Sequence, residues 1–89
     1  MPKIVFAPAL QRHVALPPVV VDGATVRDVL DAALNGNDRA RRYILDDQAA
    51  LRKHMLIFVD GARVADRRGL SDPVQPTSEI YVLQSLSGG

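Results

Sequence analysis

The 89-residue sequence contains no cysteine and no tryptophan, and its aromatic side chains are two tyrosines and two phenylalanines. The absence of cysteine excludes disulfides, thiolate nucleophiles and cysteine-ligated metals. So few aromatic rings make a base-stacking platform for single-stranded nucleic acid hard to assemble. The formal net charge of +1 also gives no global electrostatic reason to expect nucleic acid or a membrane surface as a partner.

Long hydrophobic runs are absent as well. No apolar stretch approaches the length of a membrane span, and residues 1–6 lack the extended apolar core of a signal peptide. We therefore expect a cytoplasmic protein that contacts no membrane. With 47% hydrophobic and 24% charged residues, the composition is typical of a soluble globular domain, and 89 residues are enough for one modest core.

The first twenty residues predict a β-hairpin. Ile4 and Phe6 alternate with their neighbours, and residues 14–21 form a second, β-branched run. Pro17 and Pro18 interrupt that run and place it at an edge of the sheet, because proline has no N–H group for an internal ladder.

Two helices are expected in the next part of the chain. Thr25 is a favourable N-cap for the first, and Asn37 for a shorter second helix that extends through Leu45. Asn35-Gly36 provides C-cap chemistry between them. The first helix carries an apolar stripe at helical spacing, which we assign to the core face: Val26, Val29, Leu30, Ala33 and Leu34.

Three strands are expected in the C-terminal half, after a polar connection over residues 46–53 that we expect to be extended or loosely ordered. The two-residue turn Asp60-Gly61 joins the first two strands into a hairpin. A loop rich in glycine and proline precedes the last strand. The expected strands are residues 55–59, 62–64 and 79–84.

The order of elements, β-β-α-(α)-β-β-β, matches an α+β, ubiquitin-like β-grasp fold. Such a fold has a mixed sheet of four or five strands with one main helix packed on one face, and here a short second helix follows the main one. We expect residues 1–84 to form this domain and residues 85–89 to be a flexible C-terminal tail. No internal repeat or linker divides the chain.

The tail ends in Gly88-Gly89. Glycine has no Cβ and tolerates nearly any backbone angle, so such a tail can thread a narrow cleft. The α-carboxyl group has a reference pKa of about 3.3–3.7, so near neutral pH it is an anion able to attack the α-phosphate of ATP. The acyl-adenylate formed in this way is activated for transfer to sulfur or to an amine. An ordinary mobile terminus and a cloning remnant are the alternative interpretations.

Several stretches resemble the MoaD/ThiS family of sulfur-carrier proteins, over essentially the whole chain. They are KIVF at residues 3–6, DGATV at 22–26, IFVDGARV at 57–64 and EIYVLQSLSGG at 79–89. The second half, from residue 46 onwards, is most similar to the subgroup that includes CysO, a carrier feeding cysteine biosynthesis.

Two positions depart from the family pattern. Pro76-Thr77-Ser78 stands where members usually have an Asp-Gly-Asp turn, and Ser87 stands where alanine commonly precedes the diglycine. The first is another turn-forming sequence, and the second residue is small enough for the same cleft.

The resemblance implies a carrier rather than an enzyme. Gly89 would be adenylated by an enzyme of the MoeB/ThiF type, which supplies the site for ATP and Mg, so that no cofactor is bound by the carrier itself. A sulfurtransferase or a cysteine desulfurase would then convert the adenylate to a thiocarboxylate. An acceptor enzyme would take the sulfur for molybdopterin, thiamin, cysteine or a related thio-metabolite. Because the chain has no cysteine, any sulfur it carries must be attached at the carboxyl end.

The resemblance also assigns roles near the end of the chain. Gly88 and Ser87 provide clearance for the tail in the partner's cleft. The final strand should expose one of its two faces beside the tail. The family likeness suggests three residues as contacts for the activating and acceptor enzymes: Tyr81, Leu83 and Leu86. The alternative is that Tyr81 and Leu83 merely shield the sheet.

Two other functions remain open. The same activated Gly89 could be joined to a lysine of a target, which would make the protein a ubiquitin-like modifier. The domain could also bind partners non-covalently, with an incidental diglycine.

The remaining polar residues show no pattern of a catalytic or metal site. His13 and His54 lack metal-ligand spacing and are expected on the surface. Asp46 and Asp47 are adjacent, so their side chains point apart, and we assign them to a loop. The serines lack a nucleophile elbow. Three basic clusters are interpreted mainly as solvated surface, with docking of an acidic partner as the alternative: Arg39-Arg41-Arg42, Arg52-Lys53 and Arg67-Arg68.

Overall fold

A computed structural model of the chain describes residues 1–85, which form a mixed sheet with helices packed on one face. This architecture confirms the predicted ubiquitin-like β-grasp fold, with its main helix and a shorter second helix. The five strands within residues 1–85 are β1 (Lys3–Phe6), β2 (Val19–Val20), β3 (Met55–Val59), β4 (Ala62–Arg63) and β5 (Glu79–Gln84), and the α-helices are α1 (Val26–Ala33) and α2 (Asp38–Ile44).

The first and last strands lie side by side in the middle of the sheet. The strand order is β2-β1-β5-β3-β4. β1 and β5 run parallel with Ile4 opposite Ile80, whereas every other neighbouring pair within residues 1–85 is antiparallel. A parallel pair needs a long crossover connection, and here the crossover carries both helices. As a result, β5 has a neighbour on each side, and its end lies in the middle of the sheet.

The core lies between the helices and one face of the sheet. Because side chains alternate along a strand, β5 buries Ile80 and Val82 and turns Tyr81 and Leu83 to the opposite face. The apolar stripe of α1 faces the core, as predicted. Each such side chain contributes about 1.5–3 kcal/mol when it is fully buried. The other completely buried side chains of this core are Ile4, Leu10, Val14, Val26, Val29, Leu30, Leu34, Ile44, Met55, Ile57 and Leu70.

Both helices begin where the sequence predicts them. Thr25 Oγ1 accepts a hydrogen bond from the N–H of Asp28 (3.2 Å), and Asn37 Oδ1 accepts one from the N–H of Ala40 (3.1 Å). Each bond pairs a backbone donor that the first helical turn leaves without an intrahelical partner. Gly36, between the helices, has a φ of 78°, which glycine adopts without steric cost. No helix in residues 1–85 is long and apolar enough to span a membrane.

The predicted second strand is much shorter than its β-branched run. Of that run, Val19–Val20 alone pair with β1, and the residues before them form a 3-10 helix (Pro8–Leu10) and turns. Gln11 fastens this connection, because its Nε2 donates to the carbonyl oxygens of Phe6 (3.0 Å) and Leu16 (2.9 Å). The strand lies at an edge of the sheet, as the prolines before it predict.

The polar connection before β3 is an ordered turn, so the prediction of an extended or loosely ordered segment was wrong. Asp46 Oδ1 accepts hydrogen bonds from the N–H groups of Gln48 (2.9 Å) and Ala50 (3.0 Å). The N–H of Asp46 donates in turn to the carbonyl of Ala50 (2.9 Å). The hydrogen bonds from Ala50 and Gln48 lower the pKa of the Asp46 carboxyl group below its ordinary value.

Two carboxylates organise the loop between β4 and β5. Asp66 accepts hydrogen bonds from the hydroxyl of Ser71 (2.6 Å) and from the N–H groups of Gly69 (2.9 Å) and Ser71 (3.2 Å). Asp72 accepts from the N–H groups of Ala65 (2.8 Å) and Asp66 (2.9 Å). The hydroxyl of Ser71, followed by these N–H groups, lowers the pKa of Asp66 to about 2, because the ionised carboxylate is the better acceptor.

Asp66 should make the stability of the fold sensitive to acid. A carboxyl group with a lowered pKa in the folded state contributes stability that is present above the unfolded value near 3.8 and is lost as pH falls through about 2. We expect the melting temperature to fall between about pH 4 and about pH 2, and to fall less in an Asp66→Asn variant. Thermal unfolding followed by circular dichroism measures both.

The control for this experiment is Asp47→Asn, at an exposed side chain that forms no hydrogen bond within residues 1–85. This variant should keep the pH dependence of the wild type. Identical pH profiles for the Asp66 and Asp47 variants would contradict the role given to Asp66.

Candidate functional site

The candidate site is the C-terminal end of β5, where the predicted tail begins. Gln84 is the last residue of the strand, and the next N–H group, that of Ser85, donates to the carbonyl of His54 (2.7 Å). We name Gln84 and Ser85 the tail base, because the predicted tail begins here. Outside the described residues lie the other predicted tail residues, Leu86, Ser87, Gly88 and Gly89.

Tyr43 of α2 fastens this base from the helix side of the sheet. Its hydroxyl group donates a hydrogen bond to Gln84 Oε1 (2.7 Å). Its ring lies between two imidazoles, with centroid distances of 4.6 Å to His13 and 5.3 Å to His54 and interplanar angles of 47° and 49°. Tilted ring pairs at such distances are favourable contacts. One side chain therefore joins α2 to β5, to the connection after β1 and to the residues before β3.

The sequence did not connect these rings. His13 and His54 were expected as separate surface residues, and the structure finds the first exposed and the second half-buried, both in contact with the ring of Tyr43. Three rings from three distant segments follow no periodicity and form no motif, so no sequence signal could have found the cluster. Among residues 1–85, no group of three or more His, Cys, Asp or Glu side chains is placed to hold a metal ion.

The other side of the tail base is apolar. Tyr81 and Leu83 lie partly exposed on the face of the sheet opposite the core, as predicted. Val5 and Phe58 lie opposite Tyr81 on the two neighbouring strands, and Leu56 lies opposite Leu83. None of these five side chains is buried, and they form what we name the open apolar face: Val5, Leu56, Phe58, Tyr81 and Leu83.

The arginines divide into two groups, which corrects the interpretation of all the basic clusters as solvated surface. Four of them hold the fold together. Arg41 forms an ion pair with Asp31 (2.8 Å), and Arg52 Nε donates to the carbonyl of Arg42 (2.8 Å). Arg67 donates to the carbonyls of Arg52 (2.8 Å) and Met55 (2.9 Å). Arg27 donates to the carbonyls of Ala49, Arg68 and Gly69.

The second group of basic residues stays free for other contacts. The side chains of these residues are exposed and form no hydrogen bond or ion pair within residues 1–85. They are Lys3, Arg12, Arg39, Arg42, Lys53, Arg63 and Arg68.

Several solved structures share this fold. Crystalline SAMP1 from Haloferax volcanii has a TM-score of 0.79 and 23% identity over 99% of this chain and 98% of its own. A chain of the Amycolatopsis orientalis BexX/CysO complex has a TM-score of 0.76 and 22% identity, with 100% of both chains covered. Sulfolobus solfataricus Urm1 has a TM-score of 0.71 and 17% identity over 93% of this chain and 99% of its own.

No protein-family model matches the sequence, and the comparison with curated proteins finds no matching relative. The likeness is thus one of structure. These neighbours are ubiquitin-like β-grasp proteins, and the chain has the same fold.

The contact between Tyr43 and Gln84 should be measurable as stability. Tyr43→Phe removes the hydroxyl donor and leaves the ring, so we expect a loss of about 1 kcal/mol in the free energy of unfolding. Tyr43→Ala also removes the ring between the two imidazoles and should cost more. Urea denaturation measures both. Tyr81→Phe is the matched control, because the Tyr81 hydroxyl forms no hydrogen bond within residues 1–85. Equal stabilities of the two Phe variants would contradict the proposed fastening of the tail base.

Proposed function

We propose that the protein is a ubiquitin-like sulfur carrier whose Gly89 carboxylate is adenylated and then converted to a thiocarboxylate. One observation carries the proposal: β5, paired on both sides, leads directly to the segment that ends in Gly88-Gly89. A five-residue segment spans at most about 18 Å when fully extended. The last carboxylate can therefore enter a deep cleft of another protein while the folded domain stays outside.

The proposed chemistry uses the chain as a substrate. The Gly89 carboxylate attacks the α-phosphate of ATP in an enzyme of the MoeB/ThiF type, and pyrophosphate leaves. The terminal sulfur of a persulfide on a sulfurtransferase or a cysteine desulfurase then displaces AMP and forms an acyl disulfide with that enzyme. A second thiol of the same enzyme attacks the enzyme's own sulfur, so that the S–S bond breaks, the thiocarboxylate leaves and an enzyme disulfide forms. ATP and Mg belong to the activating enzyme. An acceptor biosynthetic enzyme removes the sulfur and returns the free carboxylate.

The open apolar face supports this proposal, because a carrier must also present a docking surface beside its tail. Tyr81 and Leu83 belong to that face, and Leu86, outside the described residues, is proposed as a third docking residue. Partly exposed apolar side chains that adjoin one another, rather than standing singly, are typical of interaction sites. In this proposal Gly88 and Ser87 have side chains small enough for the tail to pass through the narrow cleft of the partner.

A second candidate is a ubiquitin-like protein modifier. Its support is that three of the structural neighbours are named small archaeal modifier protein 1, two from Haloferax volcanii and one from Methanosarcina acetivorans. The CysO neighbour and the sequence resemblance to the CysO-like subgroup favour the carrier. Both functions share the adenylation of Gly89. Adducts between Gly89 and target lysines, recovered from cells, would favour the modifier.

Gly89→Ala tests the tail chemistry. The added methyl group should obstruct the cleft, so we expect the rate of ATP–pyrophosphate exchange with the adenylating enzyme to fall about tenfold or more, equivalent to about 1.4 kcal/mol. The melting temperature should not change. Thr77→Ala, an exposed change near the start of β5, is the control and should keep the wild-type rate. Exchange at the wild-type rate in the Gly89 variant would exclude the proposed mechanism.

Leu83→Ser tests the open apolar face. Full burial of a leucine side chain contributes about 1.5–3 kcal/mol, and Leu83 is already half-buried in the free protein. We therefore expect KM for the carrier to rise about fivefold, with kcat unchanged, because about 1 kcal/mol of docking energy is lost. Val20→Ser, at a 55% exposed position on the edge strand, is the matched control. A similar KM for the two variants would contradict a docking role for the face.

A further inference from the structure

We infer that the helix side of the tail base is a docking surface for an acidic face of the protein that receives the tail. This inference rests on the proposed function and adds the chemistry of the partner. The surface, which we name the basic arc, consists of residues from three separate segments that line three depressions near Tyr43 and Gln84: Arg12, His13, Arg39, Lys53 and His54.

The residues of the basic arc line three depressions on the surface of the protein. Arg12 and His13 line one depression together with Gln84. The same two residues line a second depression with Arg39 at the start of α2. A third depression is lined by Lys53 and His54, together with Leu51, Arg52 and Asp46.

The ring cluster holds these depressions in place. Tyr43 contacts both His13 and His54, and its hydroxyl binds Gln84 (2.7 Å). Two stretches of chain that carry basic residues are thus fixed on either side of the strand end. A surface that is ordered before binding loses less conformational entropy in a complex than one formed by free loops.

The charges of the arc are unpaired within the described part of the chain. Arg12, Arg39 and Lys53 are exposed and form no ion pair or hydrogen bond there. Asp38 precedes Arg39 in the sequence, and Asp46, which lines the third depression, already accepts two backbone N–H groups through Oδ1. Positive side chains that find no partner in their own fold can pair with carboxylates of another protein.

The arc and the open apolar face lie on opposite sides of the same strand. Alternation along β5 places Leu83 on the open face and Gln84 on the helix side. A protein that receives the tail therefore meets an apolar surface on one side and a basic surface on the other. We expect its cleft to have one apolar wall and one carboxylate-rich wall, which together fix how the carrier docks.

A protein fits this surface better than a nucleic acid does. Stacking of bases requires free aromatic faces, and the ring of Tyr43 already contacts two imidazoles. Arg12 and His13 also share a depression with Gln84, so a partner that holds the tail can contact both.

Matched charge reversals test the inference. One variant carries Arg12→Glu and Lys53→Glu in the arc, and the control carries Lys3→Glu and Arg68→Glu at exposed sites outside it, so both have the same net charge. The assay is ATP–pyrophosphate exchange with the MoeB/ThiF-type enzyme encoded in the same genome. At low ionic strength the arc variant should raise KM about tenfold with unchanged kcat, because steering by charge acts on association. The control should match the wild type.

The dependence of KM on salt concentration distinguishes an effect of charge from an effect of altered shape in this assay. The difference between the two variants should disappear near 1 M salt, where the Debye length is about 3 Å. Melting temperatures establish that both variants fold. If the arc variant does not fold, a milder double variant, Arg12→Gln with Lys53→Gln, is measured in its place. That pair should also raise KM at low salt, by a smaller factor.

Three results would overturn the inference. Equal KM values for the arc and control variants, with normal adenylation of the wild type, would exclude a docking role for the basic arc and would not affect the proposed function. Failure of the enzyme to adenylate the wild type would contradict both the docking role of the arc and the proposed function. Displacement of the enzyme by an oligothymidylate at physiological salt, lost in the arc variant, would assign the surface to nucleic acid.

Discussion

The parallel pairing of β1 with β5 is the contact on which the rest of the structure depends. It sets the last strand between two neighbours and requires a crossover, which carries both helices over one face of the sheet. A slip of one residue in this pairing would turn Ile80 and Val82 away from the core. The same register brings Gln84 to Tyr43, so the position of the tail base is a consequence of core packing.

Elements that depend on neighbouring residues could be predicted from the sequence. The strands β3 and β5 have the expected bounds, and Thr25 and Asn37 cap their helices as expected. Departures arise where a side chain binds a distant or unexpected backbone group. Gln11 binds two carbonyls and shortens the run that would have been β2, and Asp46 binds two N–H groups and orders the connection before β3. Hydrophobic periodicity contains no information about such bonds.

In the candidate site, too, the features set by neighbouring residues could be predicted, and those set by distant contacts could not. The alternation along β5 was enough to place Tyr81 and Leu83 on the open face, but their neighbours on that face depend on the sheet order. The contact of Tyr43 with two histidines and Gln84 joins segments that only the fold brings together. A carrier needs no catalytic residues of its own, and its function depends on a reactive end and on the surfaces beside that end. Those surfaces differ in chemistry on the two sides of one strand.

The central claim is that Gly89 carries sulfur as a thiocarboxylate. The most direct test is the intact mass of N-terminally tagged protein recovered from its own host, with fragmentation to locate any change. The account predicts a species in which one oxygen of the Gly89 carboxylate is replaced by sulfur. A free carboxylate under every sulfur supply tried, or a mature chain that does not end at Gly89, would contradict it.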